Sequence, residues 1–321
     1  MGVALDGCIA LVTGASRGVG RGIALQLGEA GATVYITGRR HDESMNTVLN
    51  LPTLEQTAEE ITSRGGKGIA VYLNHSRKEE VKYLFKKIDN ENDGKLDILV
   101  NNAYQGVQAV SSNMGKKFYE MEPDVWDHIN DVGLRSHYTS SVFASRLMSK
   151  KKTGLIVNIG SLGGLKYLSN IPLGVGKEAL DRLSADMAVE LKEANICVIS
   201  LCPGPVKTEL VRMAFFDNEG NLKTDVPGSE LYANCETVEF VGKAIVRFSL
   251  DPAKMNKSGK TLLTDDLAHK YRFCDSKGMH PLNIRSVRTI VGSLGHPKVA
   301  KFIPSVIRIP RILVWNSTNR L

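Results

Sequence analysis

Three glycines, Gly14, Gly18 and Gly20, follow an apolar run from Cys8 to Val12 and precede a helical stretch that begins near Arg21. In the strand, turn and helix this order predicts, glycine lets the backbone turn tightly and a pyrophosphate approach the helix N-terminus. There, free N–H groups and the helix dipole favour an anion. Ser16, Arg17 and Val19 complete the loop. A glycine pattern alone also fits a bare tight turn; the flanking strand and helix carry the dinucleotide reading. The next apolar run, Thr33 to Thr37, ends in Gly38-Arg39-Arg40 with no acid at its tip. NAD sites place an acid about 20 residues beyond the glycines to take the ribose 2′-hydroxyl. Arg39 can instead fork onto a 2′-phosphate, with Arg17 as a second base, which predicts NADP(H). The alternative is two solvated loop arginines.

The elements that must position this loop follow from alternation. Strand-like runs at Cys8–Val12, Thr33–Thr37, Gly68–Leu73, Leu96–Val100, Leu155–Ile159, Ile196–Leu201 and Thr261–Leu263 alternate with helical patterns. The helical patterns are Arg21–Glu29, Leu54–Arg64, Lys78–Asn90, Asp124–Met148, Lys177–Glu193 and Thr237–Leu250. Such βαβ units predict the α/β class, a Rossmann-type doubly wound parallel sheet. A ligand then belongs at the carboxyl ends of the strands. Residues 41 to 53 read as a surface loop, with Pro52 and Thr53 suited to start the next helix.

Composition narrows the class. The chain has 321 residues, and single α/β domains of roughly 250 residues are common. One domain, residues 1–265, with a C-terminal extension, residues 266–321, is the expected organisation. Five scattered cysteines without a Cys-x-x-Cys pair argue against a disulfide framework and a zinc site. No basic segment followed by an apolar stretch opens the chain, so a secretory signal is not expected. A cytosolic location, or a cytosol-facing endoplasmic reticulum membrane, is. The net charge of +7 is spread over helices that also carry acids, as in Glu79-Glu80-Val81-Lys82, so no nucleic-acid partner is expected.

Taken in order, the glycine loop, Asn101-Asn102-Ala103, Asn158-Ile159-Gly160-Ser161, Lys177, and Pro203-Gly204 with Thr208 resemble the short-chain dehydrogenase/reductase family over roughly residues 5 to 265. A closer resemblance, to one mammalian group in it, rests on Tyr104, Gly133-Leu134-Arg135 and Asp266-Leu267-Ala268. The resemblance implies an NADPH-dependent reductase of hydrophobic ketones, steroids among them. It implies that Ser161 orients the carbonyl and that Lys177 binds the nicotinamide ribose and lowers the pKa of a tyrosine acid. The tyrosine position is Leu173, which has no proton to give, and the position of the family's water-relay asparagine is Gly133. Tyr167 is the nearest replacement donor; the alternative for it is a packing residue. The same resemblance puts Asn74 near the adenine, Asn101 and Ala103 beside the adenine ribose, and Pro203, Gly204 and Thr208 at the nicotinamide amide. Cys202 reads as a small apolar strand-end residue. An enzyme and a cofactor-binding pseudoenzyme that senses or scaffolds both remain open, since fold does not choose between them.

The segment Lys298 to Trp315 is apolar, punctuated by bases and broken by Pro304 and Pro310. A span needs about 20 mostly apolar residues, so this segment does not cross a bilayer as one helix. It either packs over the cleft of its own or a partner subunit, in a homo-oligomer, or lies in a membrane interface with Phe302 and Trp315 as anchors.

Overall fold

A parallel sheet covered on both faces replaces hydrophobic alternation with continuous Val, Ile and Leu runs, and this is how the strands here read. The computed structural model describes residues 4–40 and 51–310, apart from 224, 227–228, 276–277, 279–282, 284, 294–295 and 305–306. The expected tail anchor Trp315 and most of the expected 41–53 loop lie outside the described residues. In chain order the elements are β1 (Ile9–Val12), α1 (Gly18–Glu29), β2 (Thr33–Gly38), α2 (Leu54–Ser63), β3 (Lys67–Tyr72), α3 (Lys78–Glu91) and β4 (Ile98–Asn101). There follow α4 (Val107–Ser112), α5 (Val125–Asn130), α6 (Ser136–Lys151), β5 (Gly154–Ile159), α7 (Ile171–Glu190), β6 (Ile196–Cys202) and α8 (Glu209–Phe215). The last are α9 (Val238–Ser249), β7 (Thr261–Leu263), α10 (Thr264–Tyr271), α11 (Val287–Ser293) and α12 (Pro297–Ala300).

The strands form one sheet in the order β3-β2-β1-β4-β5-β6-β7, every pair parallel. This is the doubly wound architecture the alternation predicts, and the order reverses between β1 and β4. Along β1, Ala10 and Val12 face one core with Ile23, Leu27, Phe240 and Phe248 of α1 and α9. Ile9 and Leu11 face the other, with Val81, Leu84, Leu147 and Met148 of α3 and α6. The strand period of two sends successive side chains to opposite faces, so each core receives every second residue.

Local signals set several boundaries. Thr53 and Gln56 cap α2 reciprocally, each side chain accepting from the other's backbone N–H at 3.1 and 2.9 Å. The helix expected from Lys177 starts six residues earlier, at Ile171. Its cap is Asn170, whose Oδ1 accepts from Leu173 N at 3.0 Å, with Pro172 in the first turn. The single helix expected over Asp124–Met148 is instead α5 and α6 joined by a π-helical turn, Asp131–Arg135. Such turns mark functional sites in many proteins, and this one holds Gly133. Helices α4 and α8 are absent from the sequence reading because neither buries a residue, so neither carries a periodic apolar stripe.

After β7 the chain is fastened by charge. Asp265 and Asp266, in the first turn of α10, receive Arg308 at 2.9 and 3.0 Å, and Asp266 also receives Arg285. Asn283 donates to Asp265, Arg285 Nε donates to Ile309 O, and Ile309 N donates to Arg285 O. Arg308, a base of the expected membrane segment, is therefore held by two largely buried carboxylates.

Candidate active site

The glycine loop connects β1 to α1, where Gly14 and Gly18 take φ of +65° and +60°. A β-carbon at Gly14 would also stand 2.7 Å from Ala103 Cα, so the loop closes against the end of β4 only because that carbon is missing. A cleft opens here. Gly14, Ser16, Arg17, Gly18 and Val19 line one side; Arg39, Asn74, Ala103 and Thr208 line the others. Gly20 stands behind the lining: a β-carbon there would meet the Asn102 amide at 2.3 Å. These positions bring together, at the carboxyl ends of β1, β2, β3 and β4, most of the cofactor residues expected from the sequence.

The cleft's electrostatics suit an anion. The Gly18 N–H, first of α1, donates to Glu209 Oε2 at 2.8 Å. The chain's own carboxylate thus occupies the seat that the helix terminus prepares for a phosphate. Burial lowers the Arg17 pKa, Glu209 opposes that shift and Arg39 adds to it, which places the two arginines close together. Arg40 lies over the Tyr72 ring, 4.5 Å from its centroid, while Arg39 faces the cleft. Among the described residues, no acid lines the cleft at the end of β2. The loop's geometry, the anion seat and the paired arginines fit a nicotinamide dinucleotide.

Two expected contacts are redrawn. Asn101 does not reach the cleft: its fully buried amide donates to Asn158 Oδ1 at 2.8 Å and Ser141 Oγ at 2.9 Å, tying β4 to β5 and α6. Its neighbour Asn102 lines the cleft and donates to the carbonyls of Thr13 and Gly14, both at 2.9 Å. Successive strand residues face opposite ways, and the register that aligns Asn101 with Asn158 sends Asn101 inward. Asn74 lines the cleft, but its Oδ1 is used by the N–H and hydroxyl of Ser76 at 3.0 and 2.9 Å. The remaining amide hydrogens are its means of meeting a ligand.

At the other end of the site, Ser161 stands two residues past the end of β5. Its Oγ accepts from Gly163 N at 3.1 Å, which leaves its hydroxyl proton to donate elsewhere. Lys177 reaches back from α7, its Nζ donating to Ile159 O at 2.9 Å, so serine and lysine converge on the end of one strand. Burial brings the Lys177 pKa down to about 8, against the raising influence of Cys202 and Asp181. Leu173 stands one turn earlier on α7 and supplies only methyl groups. Tyr167 is not brought to this group: it is 67% exposed, and its hydroxyl donates to Ser169 O at 2.7 Å. Asn130, on α5, is buried and donates to Pro172 O at 3.1 Å, so it braces the first turn of α7.

Pro203 and Gly204 line a small cavity beside the main cleft, with Glu236, Thr264, Asp265 and Cys202. Cys202 is almost fully buried, and burial, aided by Asp181 and Glu236, pushes its thiol pKa up. Glu236 was not singled out in the sequence. It lies 1% exposed, accepting from Gly204 N at 2.8 Å and from the Thr264 hydroxyl, and burial raises its pKa to about 7. Two other groups at the main cleft were also missed. His75 is buried against Thr37 Oγ1 at 2.7 Å, burial lowering its pKa to about 4, and Glu209 sits on Gly18. No local spacing announces any of them, because each partner is far away in the chain.

Fold and site together define an oxidoreductase of the doubly wound, nicotinamide-nucleotide-binding class. A profile of the short chain dehydrogenase family matches residues 8–219, and the chain belongs to that family. It is 43% identical to dehydrogenase/reductase SDR family member 1 of Mus musculus over 325 residues, covering 98% of each chain. It is equally identical, 43% with 100% of each chain covered, to the Homo sapiens protein of the same name. With the 3-oxoacyl-(acyl-carrier-protein) reductase FabG of Aquifex aeolicus it shares 31% identity over 71% of this chain and 85% of the relative. Among solved structures, a short-chain type dehydrogenase/reductase from Mycobacterium marinum aligns with a TM-score of 0.63 at 24% identity, over 81% of this chain and 95% of that one.

Proposed function

We infer that the chain binds NADP(H) and slowly reduces the carbonyl group of a small apolar compound. The observation that carries this reading is the convergence of Ser161 and Lys177 on the end of β5. Arg39 and Arg17 at the end of β2 and the glycine loop support the 2′-phosphate form of the cofactor. Reduced NADP supplies a hydride when bound, and the chain's part is to hold the carbonyl and deliver a proton to its oxygen. Ser161 donates its free hydroxyl hydrogen to that oxygen. The Lys177 ammonium is charged at neutral pH yet acidic enough to release a proton to the forming alkoxide, and it regains one from solvent. Without a tyrosine at position 173 the step is slower, by about 10²- to 10⁴-fold for a missing positioned acid. Exposed Leu168, Ile171 and Met213, on the segments after β5 and β6, support an apolar substrate.

Single-turnover assays with NADPH against ketones, aldehydes and quinones test the reading. Slow reduction is expected, with a rate that falls as pH rises through about 8 and Lys177 loses its proton. A second reading, a dinucleotide-binding protein without turnover, rests on Leu173. NADPH binding with no reduction of any compound would establish it.

For the tail, the same proposal extends to contact with a cytosol-facing membrane, such as the endoplasmic reticulum. Phe302 is 89% exposed, Val299 and Ile307 are exposed beside it, and Lys301 flanks them. Among the described residues no helix is long and apolar enough to cross a membrane. The arrangement suits an interfacial contact whose charge component weakens with salt. Flotation of the full chain with anionic liposomes, against a chain ending before Lys298, is the test. If both stay soluble, the tail is instead a lid packed on its own chain or a contact between copies, which size-exclusion chromatography tells apart.

A further inference from the structure

The side chain that fills the space beside Lys177 is Tyr104, and two glycines make room for it. A β-carbon at Gly133, in the π-helical turn, would lie 2.8 Å from Cδ2 and 3.0 Å from Cε2 of the Tyr104 ring. One at Gly106 would lie 2.6 Å from its hydroxyl oxygen. Non-bonded carbons sit at about 3.5–4.0 Å, so any larger residue at either position would displace the ring. The tyrosine and its glycines, from the loop after β4 and the turn into α6, are one packing unit.

The face of that ring meets the ammonium. Lys177 Nζ lies 5.3 Å from the ring centroid, inside the roughly 6 Å range of a cation–π contact, and the same nitrogen donates to Ile159 O. The hydroxyl is directed elsewhere: it is buried at Gly106 and has no hydrogen-bond partner among the described residues. The other groups acting on the ammonium do so through space. Asp181, one turn further along α7, and Cys202, at the end of β6, favour its charge. His137 of α6 is buried, bonded to Ala103 O at 3.0 Å, and held neutral. With Gly133 offering no side chain, the aromatic face of Tyr104 is what meets the lysine from that side.

We propose that Tyr104 is a positioning residue whose ring, admitted by Gly133, clamps the Lys177 ammonium against the Ile159 carbonyl. Its consequence for the cofactor rests on the reading of Lys177 as a nicotinamide-ribose ligand; its effect on the lysine does not. The ring confines the ammonium to one place and stabilises its charge where water is scarce.

The test is the titration of Lys177 in the full chain carrying 13C-labelled lysine, with the signal assigned from a Lys177→Met variant, alongside calorimetric NADPH affinity. Tyr104→Phe keeps the aromatic face, so midpoint and affinity should stay within about twofold. Tyr104→Leu stays apolar but removes the face. The proton affinity of Lys177 should fall about tenfold, one pH unit, with NADPH weakened by a similar factor. Gly133→Ala should reproduce the leucine effect by displacing the ring, and the double variant should go no further, because both act through one contact. A Tyr104→Leu variant that titrates and binds like wild type would make the ring mere packing and overturn the proposal. So would a Phe variant shifted as far as Leu, which would assign the effect to the hydroxyl. If Gly133→Ala does not fold, the Phe and Leu pair still decides. The lysine titration needs no cofactor, so a wild type that binds no NADPH, together with a Tyr104→Leu variant that still shifts the lysine, refutes the cofactor reading and keeps the clamp.

Discussion

The two ends of the site meet different demands. At the glycine-loop end, main-chain N–H groups, two long cations and glycines without β-carbons line the cleft, with Glu209 already showing that the Gly18 N–H takes an anion. At the other end, which we propose reduces a carbonyl, Ser161 and Lys177 converge on the end of β5, but the preceding turn of α7 holds Leu173, which has no proton to give. Binding an anion is distributed over many groups, each worth a modest amount. Proton transfer depends on a particular hydrogen at a particular point. One substitution can therefore silence the second end while leaving the first nearly whole.

The largest expected effect lies at the reducing end. Leu173→Tyr should raise single-turnover reduction of a good ketone by about 10²-fold or more with NADPH affinity little changed. Tyr167→Phe should change neither, since that hydroxyl is exposed and occupied by Ser169 O. An unchanged rate in Leu173→Tyr would mean that the reducing end has lost more than one group. At the binding end, Arg39→Ala should weaken NADPH by roughly 10- to 100-fold, the worth of about 1.5–3 kcal/mol for hydrogen bonds to a charged group, and leave NADH unaffected. Calorimetry with both cofactors checks this, and equal losses for the two would remove Arg39 from the 2′-phosphate.

A smaller effect is expected from Glu209→Gln, which removes the carboxylate competing for the Gly18 N–H. Anions at a helix N-terminus are worth about 0.3–1 kcal/mol, so NADPH should bind roughly two- to fivefold more tightly. Weaker binding would show that Glu209 assists the cofactor. The smallest effect concerns the join between the two ends, where Glu236 holds Gly204 N. Its folded pKa, about 7, lies above the ordinary 4.5. The folded state thus holds this proton more tightly, and stability from it is complete below about 4.5 and lost as pH rises through about 7. The Tm of Glu236→Gln relative to wild type should accordingly rise between pH 5 and pH 8. Buried His75 and His137 run the other way, losing stability as pH falls below about 6.5. The difference between the two proteins, not the wild-type curve, isolates Glu236.

Much of this was legible in the chain before folding. The strands expected at Cys8–Val12 and Thr261–Leu263, the glycine loop, Arg39 at a strand tip, Ser161, Lys177 and the vacancy at Leu173 are local features. Apolar periodicity, turn sterics and short spacings fix them within a few residues of one another. Tertiary packing decided the rest. Neighbouring asparagines are equivalent in sequence, yet the β4–β5 register buried Asn101 and left Asn102 at the cleft. Glu209 reached Gly18 across 191 positions, and Glu236 reached Gly204 across 32. Tyr104 lay over Lys177 because Gly133, on a third element, yielded the volume. Contacts between residues remote in the chain depend on how helices and strands stack, and no local pattern encodes which of several polar side chains will arrive at the same point.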